Sequence, residues 1–189
     1  MFFSRSEDSG TYRPLLAFLL LTLGVGALGN IAVQPSIPTW YAGLIKPSFN
    51  PPNWLFAPVW TTLYVVMGVA AWRVWRVQQE RPASPAREAL AGEVSASARA
   101  RGGRRGPISI EMAAFGIQLA LNCAWSFIFF SAHQLGAALA EIIVMWVAIL
   151  ATLVLFWRRD RLAGLLFVPY LAWVSFATAL THAIWRLNG

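Results

Sequence analysis

Four tryptophans, Trp60, Trp125, Trp146 and Trp173, lie inside long apolar segments rather than at their ends. An indole offers a broad, polarisable face that can pack a helix or lie against a flat aromatic ligand. Trp54, Trp72, Trp75, Trp157 and Trp185 fall at segment ends, where an interfacial aromatic belt accounts for them. On a helix, Trp60, Tyr64 and Met67 share one face, and Trp173, Ala177 and Leu180 share another, with Phe176 adjoining. Gln118 and Asn122, four residues apart, form a carboxamide face on a third segment.

Other reactive side chains point to little. The sequence holds no phosphate loop, no metal-spaced His/Cys cluster and no nucleophile triad. His133 and His182 lie far apart and suit polar interfacial positions. Cys123, the single cysteine, permits no intrachain disulfide and suits a small buried hydrophobe. Glu141 is the one charge inside an apolar span and merits a functional hypothesis. It lies within two turns of the segment's start, where it can also reach the interface.

The elements that position these residues follow from composition. Hydrophobic residues make up 58% of the 189 and charged residues 12%, against about 45–50% and about 25% in soluble domains. Such a chain cannot cover a water-facing surface and belongs in a bilayer. Five stretches approach the roughly 20 apolar residues a spanning helix needs: 15–33, 54–72, 112–132, 135–157 and 162–185. Their continuity excludes a membrane barrel, so the expected fold is an all-α integral membrane bundle of five helices behind an N-terminal tail (1–14). The first span is expected to be a retained helix rather than a cleaved signal, because no small-x-small site follows it.

Of the 15 basic residues, all but Lys46 and Arg186 fall on the side shared by the N-terminus, second loop and fourth loop. That asymmetry predicts a cytoplasmic N-terminus, and a net charge of +7 used this way implies no nucleic-acid partner. The segment 78–107, rich in Arg, Ala, Ser, Gly and Pro, reads as a flexible basic loop. The first loop carries five prolines between Gln34 and Asn53 with several aromatics. It forms either a lid over the bundle or a structural cap. About 200° around the third helix from its polar face, Gly116, Ala120 and Ala124 repeat small-xxx-small. The expectation is a polar face lining an internal pocket and a small face packing a second subunit.

Several motifs in order resemble the translocator protein family, which includes the bacterial tryptophan-rich sensory proteins and the peripheral benzodiazepine receptors. They are Trp40-Tyr41 with Lys46 to Pro52, Ala57 to Tyr64 with Met67-Gly68, and Gln118 to Asn122 with Trp125 and Phe129-Phe130. Pro169 to Trp173, Phe176 to Thr178 and Trp185-Arg186 complete the match. The resemblance implies a five-helix bundle, commonly a homodimer, with a pocket opening toward the first loop. Its ligands would be porphyrins, haem-type tetrapyrroles, sterols or synthetic drugs, with no cofactor or metal required. The pocket residues it implies are Trp40, Tyr41, Pro51, Trp60, Asn122, Trp173 and Ala177. Light-dependent porphyrin breakdown, where family members perform it, would involve Trp60 and Trp173. His182 and Ala183 stand where animal members carry tyrosines, which breaks a sterol-recognition pattern. The reading is a tetrapyrrole-binding receptor or sensor, with a porphyrin-oxidising enzyme and a small-solute or sterol transporter as alternatives.

Overall fold

The computed structural model describes residues 9–79 and 108–189. Its helices are α1 (Ser9–Ser36), α2 (Asn53–Gln79), α3 (Ile110–Ser126), α4 (Leu135–Arg159) and α5 (Arg161–Asn188). No strand occurs among the described residues, and all five helices are long and apolar enough to cross a membrane. A backbone in hydrocarbon must satisfy its own hydrogen bonds, which selects helix even where valine, isoleucine and threonine are frequent. Leu20, Ile31, Ile117, Val144 and Leu165 point outward, exposed. The interior instead combines Tyr170, Phe167, Phe156, Met67 and Met145 with small residues such as Ala70, Ala71 and Ala163. In lipid such contacts hold helices together by close packing, since lipid tails are as apolar as the core.

Two departures from the expected boundaries matter. The first helix does not stop at Val33: it runs to Ser36 and then through a π-helical turn, Ile37–Tyr41, before the chain leaves helix beyond Gly43. Pro35 and Pro38 each lack an N–H to donate, and a widened turn absorbs the missing bonds. The added residue re-phases the helix and turns Tyr41 inward, where it is buried. A second π-helical turn, Phe127–Ser131, ends α3. His133 then takes a left-handed conformation (φ 57°), and the Gln134 N–H reaches back to the Ile128 carbonyl at 3.2 Å. The predicted loop 78–107 starts later, because Gln78 and Gln79 are the last residues of α2. Its remainder, 80–107, lies outside the described residues.

The two ends of the bundle differ in chemistry. At the end holding both π-turns, Ser36 Oγ donates to the Phe130 carbonyl. Trp40 meets Phe129 edge-on at 5.5 Å and Tyr41 lies 5.7 Å from Phe130. The opposite end is an ionic clamp. Arg159 pairs with buried Glu111, which also accepts from Gln78 Nε2 at 3.2 Å. Arg73 pairs with Asp160 at 2.8 Å, and Asp160 caps α5 by accepting from the N–H groups of Leu162 and Ala163. Four helix ends are thereby tied together.

Candidate functional site

The polar face of α3 organises the interior. Asn122 is buried at 3% exposure, and each end of its amide has a partner within the protein: Tyr64 Oη donates to its Oδ1 at 2.6 Å, and its Nδ2 donates to Tyr170 Oη at 3.1 Å. One turn back, Gln118 is fully buried and neither end of its amide has a hydrogen-bond partner among the described residues. The Tyr64–Asn122–Tyr170 bridge locks α2, α3 and α5 at one level. Trp60 sits on that bridge, 5.7 Å from Tyr64 and 6.3 Å edge-on to Tyr170.

Above the bridge, toward the π-turn end, lies a cavity of about 480 Å³. Its aromatic walls include Trp60 and Phe56 on α2, Trp125 on α3, Phe129 in the π-turn that follows it, and Trp173 on α5. Trp173 is braced edge-on by Phe56 at 5.9 Å and by Phe176 at 5.6 Å. Trp125 stacks on Phe129 at 5.0 Å. A mostly apolar concavity with few polar groups, within the roughly 300–1,000 Å³ usual for small-molecule pockets, has the shape of a ligand site.

Five of the seven expected pocket residues line this cavity: Tyr41, Trp60, Asn122, Trp173 and Ala177. Trp40 and Pro51 are not among its wall residues. Trp40 stacks on His133 instead, with ring centroids 4.2 Å apart. Of the four interior tryptophans, Trp146 is the one outside the cavity, and its Nε1 donates to Ser175 Oγ at 2.7 Å between α4 and α5. Glu141 is not a wall residue, and both carboxylate oxygens are occluded without a hydrogen-bond partner. Gly116 and Ala120 face outward and exposed, and nothing lies within 4 Å of a Cβ built at Gly116.

Sequence reasoning missed the α1 wall. Gly26, Gly29, Asn30 and Val33 all line the cavity. The available signal was the glycines. A Cβ at Gly29 would come within 3.1 Å of Ser126 Oγ, and one at Gly26 would strike the Tyr64 ring. Glycine inside an apolar helix marks such a close approach.

A model of the TspO/MBR family matches residues 18–186. The chain belongs to the TspO/MBR family. Curated relatives in that family agree in length as well as sequence. The protein CrtK of Rhodobacter capsulatus is 38% identical over 86% of this chain and 85% of its own. The human translocator protein is 38% identical over 93% of this chain and 90% of its own. The tryptophan-rich sensory protein of Cereibacter sphaeroides is 34% identical over 90% of both chains. With five spanning helices, this TspO/MBR chain is a multi-pass integral membrane protein.

Proposed function

We propose that the cavity binds a flat tetrapyrrole of the porphyrin class, and that the protein works as a membrane sensor or translocator that also promotes light-dependent porphyrin breakdown. The observation that carries this reading is the pair Trp60 and Trp173, two indoles on different helices lining one apolar cavity. The names of the relatives, sensory protein and translocator protein, support the coarser part. A flat macrocycle would gain contact with the aromatic walls. Under illumination an indole would give one electron to the excited porphyrin, and the reduced macrocycle would pass it to dioxygen, giving superoxide and the parent porphyrin. The oxidised indole would then recover its electron from the porphyrin, and the porphyrin radical cation would combine with superoxide, so that the net change is addition of dioxygen to the porphyrin with the indole restored.

The test is titration with protoporphyrin IX, read by absorption and tryptophan quenching, followed by illumination. Trp60→Phe and Trp173→Phe should keep Kd within about threefold of the parent, under ~0.7 kcal/mol, yet slow the loss of porphyrin absorbance in light severalfold more. Equal loss of binding and breakdown would reduce both residues to pocket walls. Dark, multi-turnover conversion would instead mark an enzyme, and no binding at all would remove the ligand class.

A further inference from the structure

The cavity's walls are unequally exposed, and the inequality locates its mouth. Among its wall residues, Leu23, Ala27 and Asn30 on α1 and Asn53, Ala57 and Thr61 on α2 are exposed. On α3 with the π-turn that ends it and on α5, every wall residue, from Asn122 to Phe130 and from Trp173 to Ile184, is buried or half-buried. A cavity whose exposed walls all come from two neighbouring helices opens between those helices. Farther from the π-turn end the same helices are zipped shut: a Cβ at Gly68 would lie 2.9 Å from Thr22 Oγ1 and 3.2 Å from the Phe18 carbonyl.

The first loop at the π-turn end is tied down. Asn188 on α5 accepts from the Ile45 N–H and donates to the Ile45 carbonyl, both at 2.9 Å. Tyr41 Oη donates to Asn50 Oδ1 at 3.0 Å, and Lys46 Nζ lies 4.6 Å over the Tyr41 ring. The loop is thus fastened to both α1 and the last turn of α5.

Both sides of the mouth belong to apolar spans, Tyr12–Tyr41 and Asn53–Gln79, so in a bilayer it faces lipid rather than water. Its margin is graded. Leu23, Ala27 and Ala57 are apolar, whereas Asn30, Gln34 and Asn53 bring three carboxamides to the loop end. Gln34 Nε2 donates to Asn30 Oδ1 at 3.2 Å, which leaves further donors and acceptors on that margin.

We propose that the ligand reaches this cavity sideways from the bilayer, between α1 and α2, as a membrane-dissolved amphiphile whose polar end settles against Asn30, Gln34 and Asn53. The proposal rests on the cavity being the ligand site. It differs from the resemblance, which puts the opening toward the first loop.

The experiment uses the full chain in phosphatidylcholine vesicles, with protoporphyrin IX as probe and stopped-flow tryptophan quenching as readout. Ala27→Phe with Ala57→Phe narrows the mouth. Both positions are exposed, so the larger rings displace no core side chain. Leu28→Phe, on the exposed face beside the mouth, is the control. Asn188→Ala loosens the loop. Association should slow about tenfold or more in the narrowed variant, whereas lost contacts act mostly on the off-rate, and stay unchanged in the other two. Faster association in Asn188→Ala, with the narrowed variant unaffected, would overturn the lateral route.

A second measurement needs no porphyrin. In vesicles of acyl-brominated phosphatidylcholine, the parent should be quenched more than the narrowed variant, because brominated chains reach its mouth. Equal quenching would overturn the proposal. Should protoporphyrin quench no variant, the ligand reading fails, and the brominated-lipid comparison alone decides the mouth.

Discussion

Asn122 lines the cavity and also braces its frame. Its amide accepts from Tyr64 and donates to Tyr170. Replacing it by leucine leaves two buried phenols without that partner, at a cost of about 1–3 kcal/mol. Asn122→Leu is therefore expected to lower thermal stability in detergent clearly while changing porphyrin affinity far less. A large loss of affinity at unchanged stability would return Asn122 to direct ligand contact. Trp60 and Trp173 were legible in the sequence because an interior tryptophan has no belt to explain it. Gly26 and Asn30 were not, since nothing in a single apolar segment says which side meets a pocket. Trp40 was legible as an aromatic at the loop but not in its direction, which depends on the left-handed turn that presents His133 to it.

The five spans could be read from hydrophobic length because a bilayer demands it. The end of the first could not. Prolines normally close a helix, and here the chain crosses Pro35 and Pro38 by widening a turn. The α4–α5 junction was hidden for a different reason: it depends on backbone proximity. A Cβ at Gly164 would lie 2.8 Å from Trp157 Cα and 2.9 Å from its backbone nitrogen. No side-chain rotation relieves a clash with backbone. Gly164→Ala should cost about 1–3 kcal/mol, as overpacking does, and push α4 from α5. Thermal unfolding checks this, and a neutral result would mean the two helices slide apart freely.

Across the whole molecule, polarity is sorted by end. The ionic clamp joins α2, α3, α4 and α5 at the terminus that carries most of the described arginines. The loop end relies on aromatic packing and the Asn188 tie. That division was legible in outline from the basic residues, but the buried Glu111–Arg159 pair was not, because each residue lies at a span boundary where charge is ordinary. On the outer side of α3, exposed Gly116 and Ala120 with half-buried Ala124 form a strip of small residues. Ala120→Cys, with Cys123 replaced by serine, should give a disulfide-linked or bismaleimide-linked dimer in membranes. Its absence across several linker lengths would sink dimerisation through this strip.

The paired π-turns have a bearing on chain length. A π-helical turn is an α-helical turn with one residue to spare, so the loop end carries two surplus residues, one in α1 and one after α3. Losing one would restore ordinary helix and rotate everything beyond it by about 100°. Related chains that differ by a single insertion or deletion between 37 and 41, or between 127 and 131, would therefore share the bundle but present different aromatics to the cavity. Ligand preference could then diverge by changes of length alone, with every wall residue kept.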